Sequence, residues 1–172
     1  MKTFGLAVGV VFVAMVLGGV GGAASAPKWT EFGATLANWK SAHRPDPRYA
    51  PRCCYLPSRV SAGGRYAAVH SGEHKGTNRV DSFSMLYARP ITVAVAQNVV
   101  KNTAPPGSRL VFAVRKHNCM MIQHRSPALT HAFGSKAWVM LAALYSPGSG
   151  PFNGRTVNDI EFLPFGERSF GC

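Results

Sequence analysis

Acidic side chains are scarce in this chain, 7 Asp and Glu against 19 Lys and Arg. The resulting net charge of +12 favours anionic partners such as nucleic acid, teichoic or acidic polysaccharide, or anionic lipid. Charge of either sign is thin, at 15% of residues, so Ser, Thr, Asn and Gly must share the soluble surface. The basic residues form no run: Lys40, Arg44, Arg48, Arg52, Arg59, Arg65, Arg109, Arg115, Lys116 and Arg125 are scattered. Nucleic acid is therefore not singled out among the polyanions. No C-x2-C spacing is present, which removes the common structural zinc frameworks. No internal repeat is present either, which removes a repeat architecture.

The chain has 18 Gly and 12 Pro, without a repeating period, and 47% hydrophobic residues. That mixture suits a compact, turn-rich β fold better than a helical bundle or a disordered tail. Part of the hydrophobicity sits at the start. Lys2 is the only charge before Lys28, Phe4 to Val20 is nearly all apolar, and Ala23-Ala24-Ser25-Ala26 supplies small residues. This is the pattern of a secretory signal, cut after Ala24 or Ala26. The run approaches the ~17–20 residues that span a bilayer, but its glycines and the lack of a basic stop-transfer cluster favour cleavage. Residues 1–26 are thus expected to be a signal peptide, and the mature part a secreted monomer with no stable membrane insertion.

Four cysteines remain: Cys53, Cys54, Cys119 and Cys172. Export implies an oxidising compartment and structural disulfides rather than metal binding. A bond between neighbours Cys53 and Cys54 needs a strained ring, so each is expected to reach separately to Cys119 and Cys172. Each such bond closes a long loop and contributes ~3–4 kcal/mol in the loop-entropy picture.

Residues 27–64 read as an extension. Trp29, Phe32, Leu36 and Trp39 recur at helical spacing within 27–42, and Pro45, Pro47, Pro51 and Pro57 make 43–64 an extended strap. From Arg65 the texture changes to short apolar runs split by turns, the β domain of residues 65–172. Candidate strands are Tyr66–His70, Ile91–Ala96, Arg109–Val114, Met120–His124, Trp138–Tyr145 and Asp159–Leu163, with a helical turn at Ala128–Phe133. Six strands in about a hundred residues fit a small closed barrel or a sandwich.

Several short motifs carry candidate chemistry. His70-Ser71-Gly72-Glu73-His74 fits H-x-x-E-H, a zinc-peptidase pattern that requires a helix, and Ser71, Gly72 and Gly76 make a turn the better reading. His74 and Asp81 resemble part of the S-x-H-x-x-G-x-A-x-D pattern of zinc D,D-peptidases, whose downstream E-x-x-H is missing here. His117, Cys119, His124 and His131 would align only on one long helix, which Ser126-Pro127 interrupts. No metal and no cofactor is expected.

The longest resemblance is to double-psi β-barrels of the rare-lipoprotein-A-like and expansin-like branch, over about residues 65–165. It is carried by His74-Lys75-Gly76-Thr77-Asn78, Thr92-Val93-Ala94-Val95, Pro106-Gly107-Ser108-Arg109-Leu110-Val111-Phe112, and Gly150-Pro151-Phe152-Asn153-Gly154-Arg155-Thr156-Val157-Asn158-Asp159. It implies a mainly β, six-stranded closed barrel behind the helix and strap. It also implies a cell-wall-facing module that binds or remodels polysaccharide, with His74, Asp81 and then Asp159 as acid-catalytic candidates. The family's acid just before Gly-Pro-Phe is replaced here by Gly148-Ser149. The partner would be anionic wall polysaccharide or another polyanion. Trp29, Trp39, Tyr66 and Trp138 would be the sugar-stacking rings, with core packing the readier account of each.

A second resemblance is to ADP-ribosyltransferase toxins. Asp159-Ile160-Glu161-Phe162-Leu163-Pro164 is similar to their acidic-x-Glu followed by an apolar strand. Ser82-Phe83-Ser84 stands where they have Ser-Thr-Ser, and Arg65 where they have an early arginine. The resemblance implies that Glu161 polarises the nicotinamide ribose of NAD. A third class is a secreted inhibitor with no chemistry of its own.

Overall fold

A computed structural model of the chain describes residues 29–49, 54–73, 76–148, 150–164 and 172. The expected signal peptide, Cys53 and His74 lie outside the described residues. The elements are α1 (Leu36–Ala42), β1 (Arg65–Ser71), β2 (Val80–Thr92), α2 (Val93–Thr103), β3 (Arg109–Arg115), β4 (Cys119–Arg125), α3 (Pro127–Phe133), β5 (Met140–Tyr145) and β6 (Thr156–Pro164).

The six strands form one antiparallel sheet in the order β1-β2-β6-β5-β4-β3. The expectation of a closed barrel is overturned, because the sheet is open, with β1 and β3 at its two edges. Closure would require those two strands to pair. Instead the strap lies along β1: Tyr55 bridges Tyr66, and Pro45 bridges Tyr55 in turn. Covering an edge in this way meets the same need that closure meets, the protection of unpaired backbone groups.

One strand and one helix also differ from expectation. The run Ile91–Ala96 is not a strand of its own: Ile91 and Thr92 end β2, and Val93 begins α2. Thr92 caps that helix, its side chain accepting from Val95 N, and Ala96, Val99, Val100 and Thr103 are buried at helical spacing. The β-branched run reads as strand by propensity, but the apolar face decides. At the other end of the chain, the helix expected over 27–42 is limited to Leu36–Ala42, where Thr35 caps it by accepting from Asn38 N.

The sheet has one dry face. Tyr66, Met85, Phe83, Ile160, Phe162, Ala142, Leu144 and Ile122 lie in cross-strand register and belong to one buried cluster with Phe32, Trp39, Val99, Val100 and Leu129. Trp39 of α1 sits with its ring centroid 5.1 Å from Phe83 and 5.0 Å from Tyr66. Beneath it Glu31 is held by two groups, His43 Nε2 at 3.2 Å and the Tyr66 hydroxyl at 3.3 Å. The hydroxyl that anchors this polar knot belongs to β1, so the leading arm is pinned to the sheet by side chains as well as by bridges.

The expected disulfide arrangement is overturned too. Cys119 and Cys172 are bonded to each other, with Cα atoms 5.4 Å apart. Cys54 is itself disulfide-bonded. The bond therefore fastens the C-terminal residue to the start of β4, and cannot tie the strap to either of those positions. The bridges and the Glu31 knot hold the strap without it.

Candidate functional site

The other face of the sheet carries the polar chemistry. In antiparallel pairing, directly opposed residues share a face and successive residues alternate. Ser84 opposes Glu161, and Leu86 opposes Asp159. One strand further out, Arg65 opposes Leu86; on the other side Tyr145 opposes Asp159 and Ala143 opposes Glu161. Arg65, Ser84, Glu161, Asp159 and Tyr145 thus share one face across β1, β2, β6 and β5. Strand spacing puts the backbone of Arg65 about 10 Å from that of Asp159, two strands away. A substrate the size of a nucleotide spans that distance.

Ser82-Phe83-Ser84 follows the same alternation. Phe83 points into the core, stacked on Phe162 at 4.7 Å, and the two serines share the polar face. The period-2 pattern that builds the core therefore delivers the serines to the site.

Glu161 is half-buried and held in place, since the Tyr145 hydroxyl donates to its Oε2 at 2.8 Å. Asp159, two residues earlier on the same face, has an Oδ1 that is buried with no hydrogen-bond partner. Burial, with the nearby Glu161 charge adding to it, pushes the Asp159 carboxyl up to about 6, while the Ile160 N–H pulls weakly the other way. The Asp159 charge and, more strongly, burial raise the Tyr87 phenol as well. At neutral pH the site holds a poorly solvated carboxylate beside a second one, an arrangement typical of functional sites.

At the far side of the site stands Arg65. Its guanidinium lies over the Tyr49 ring, 4.5 Å from the centroid, and its Nε is buried without a hydrogen-bond partner. Asp46 is nearby but engaged: Arg48 grips it through Nε to Oδ1 at 3.0 Å and Nη2 to Oδ2 at 2.7 Å. That grip chiefly holds the Asp46 carboxyl below its ordinary range, with the Arg65 charge a lesser cause. The Tyr49 ring steadies the guanidinium by a cation–π contact, while the Arg65 side chain as a whole stays partly exposed.

The other candidates are not brought here. Asp81 is fully buried and, two residues before Phe83, falls on the core side of β2. Asp81 therefore lies on the opposite face of the sheet from Asp159 and Glu161. The helix that H-x-x-E-H requires is absent: His70 belongs to β1, and Gly72 turns the chain with φ +72°. A side chain at Gly72 would strike the Thr77 carbonyl oxygen. Among the described residues no three of His, Cys, Asp and Glu gather where they could hold a metal ion. Cys119 is in a disulfide, and burial holds His124 below the ordinary imidazole range. Of the four proposed sugar platforms, Trp39, Tyr66 and Trp138 are buried in the core.

Tyr145 and Tyr49 were not anticipated from sequence. Each enters through a long-range neighbour, and no local spacing marks it. Compared with known proteins, the chain matches no family model, no curated protein and no solved structure.

Proposed function

We propose that the chain is a secreted ADP-ribosyltransferase that uses NAD as its donor substrate. The observation carrying this reading is the register that sets Ser84 directly opposite Glu161, with Arg65 on the same face one strand away. These three residues are separated by up to 96 positions in sequence. Their convergence on one polar face is what a working Arg, Ser and Glu set requires.

The chemistry follows from the side chains. Glu161, as carboxylate, accepts a hydrogen bond from the ribose 2′-hydroxyl and stabilises the positive charge that grows on the ribose as the C1′–nicotinamide bond breaks. Nicotinamide leaves as the neutral base. A nucleophile of the acceptor bonds to C1′, and its proton passes to the Asp159 carboxylate or to solvent. Ser84, across from Glu161, supplies a hydroxyl to orient it. Arg65 offers a planar fork of donors suited to the pyrophosphate.

The direct test is incubation of purified protein with NAD and quantification of free nicotinamide. Release above the rate of a heat-denatured sample supports the reading; NAD left intact, with and without a mixed protein and nucleic-acid acceptor pool, contradicts it.

Tyr145 is a positioning residue in this scheme. Tyr145→Phe removes one hydrogen bond to a charged acceptor, a contribution of about 1.5–3 kcal/mol. The expected result is a fall in kcat of about 10-fold or more, with KM for NAD changed less than about 2-fold, since the bond orients Glu161 without touching the bulk of the substrate. A change confined to KM contradicts that role.

A further inference from the structure

On the edge of the sheet farthest from this site, Arg109 of β3 stands directly opposite Arg125 of β4. Like charges in directly opposed positions disfavour a sheet, and among the described residues no carboxylate forms an ion pair with either. The two arginines line a cleft of about 790 Å³ that also holds His131 and Lys136, with Ser126 and Thr130 beside them and no carboxylate among the described residues of its wall. All four basic side chains belong to exposed residues. Among the described residues none of the four has an ion pair: the three present join His43 to Glu31, Arg48 to Asp46 and His70 to Glu73.

The contrast with the strap is instructive. Asp46 there collects Arg48 through two parallel bonds, so this chain does pair an arginine fork where a carboxylate is supplied. At Arg109 and Arg125 it sets two arginines directly opposite each other, and no described carboxylate pairs with them. An arginine fork matches two oxygens of a tetrahedral oxyanion, and two forks with a lysine match a group of more than one negative charge.

We propose that the cleft between the start of β3, the end of β4 and α3 is a phosphate-binding site, occupied by a free phosphate or by phosphates carried on a polymer. It goes beyond the NAD reading and does not depend on it, since Arg109 and Arg125 lie at the opposite edge of the sheet from Arg65. The +12 charge of the chain would draw such a ligand in, and this cleft would seat it.

The test uses the full protein and the double variant Arg109→Gln with Arg125→Gln, titrated with inorganic phosphate, with a 12-residue thymidylate oligonucleotide and with a polyglutamate of equal charge. At 50 mM salt the double variant is expected to bind the oligonucleotide at least about 10-fold more weakly. The slope of log K against log salt should be shallower by about 1.4, two phosphate contacts at ~0.7 each. Inorganic phosphate binding that is lost in the same variant assigns the ligand as free phosphate, whereas binding of the oligonucleotide alone assigns the polymer. The variant is expected to melt at or above the wild-type temperature, because a like-charge pair has been removed, so lost binding cannot be put down to lost folding. Arg89→Gln serves as the charge control, with less than about 2-fold effect. Equal binding of polyglutamate, an equal loss in Arg89→Gln, or no change in the double variant would overturn the proposal.

Discussion

Glu161→Gln should abolish nicotinamide release from NAD while leaving the protein folded. The substitution keeps the size of the side chain and an oxygen that can still accept from the Tyr145 hydroxyl, which lies 2.8 Å from Oε2 in the native chain. What it removes is the negative charge facing the ribose as the glycosidic bond breaks. Preorganised groups aimed at developing charge are commonly worth 10²–10³ in rate, and a full carboxylate acting on a cation belongs at the upper end, so the expected loss is about 10³-fold. An unchanged melting temperature, together with rate loss in kcat rather than KM, separates this from unfolding. Retention of more than about a tenth of the wild-type rate would remove Glu161 from the reaction.

Asp159→Asn is expected to stabilise the protein near neutral pH. The Asp159 carboxyl titrates at about 6 in the folded chain and near 3.9 when unfolded. Between those values the folded state holds the proton that the unfolded state has released, so stability falls as pH rises through the window. Below about pH 4 both states are protonated and nothing is lost. Above pH 6 the whole cost is present, roughly 2–3 kcal/mol for a shift of about two units at 1.36 kcal/mol each. Asn carries no charge and avoids that cost. Urea titrations at pH 4 and pH 7.5 should therefore find the variant close to wild type at the lower pH and more stable by roughly 2–3 kcal/mol at the higher. The same change removes the base from the site, so transfer to an acceptor is expected to fall as stability rises. Such opposed signs mark a residue kept for function at the expense of stability. A variant no more stable than wild type at pH 7.5 would contradict the burial argument.

Much of the sheet was legible in the sequence because alternation and turns are local. The runs at β1, β3, β4, β5 and β6 are each short, largely apolar and set off by Gly, Pro or Asn, and all five form strands. β2 was not read. Its middle, Ser82-Phe83-Ser84-Met85, alternates polar and apolar as β6 does, but the strand runs on through Pro90 to Thr92, and Pro90 reads as a break. Val93-Ala94-Val95-Ala96 misleads in the opposite sense. Its β-branched residues favour a strand, and only the buried positions further along, Val99 and Val100, reveal the helix. Strand order has no local signature at all. That β6 would insert between β2 and β5, and that the strap would take the outer edge of β1, are settled by which apolar faces can be buried together.

The site divides in the same way. Glu161, Ser84 and Arg65 were legible as a short motif set, because acidic-x-Glu and Ser-x-Ser are spaced to put like residues on one face of a strand. Asp81 stood ahead of Asp159 as an acid candidate in the sequence, yet Asp81 faces the core and Asp159 the polar face. Tyr145 and Tyr49 could not be read in advance. The Arg65–Tyr49 contact and the Tyr145 hydroxyl bond exist only once distant parts of the chain have come together.

The most direct test of whether Ser84 and Glu161 work as one unit is a double-mutant cycle on NAD cleavage, with Ser84→Ala, Glu161→Gln and the pair combined. Residues that act through each other are not additive. The expected result is a slow Ser84→Ala enzyme, down about 10-fold or more, and a combined variant within about 3-fold of Glu161→Gln alone. Losses that multiply, or a serine variant as fast as wild type, would mean that the two residues face each other across the strands without sharing a task.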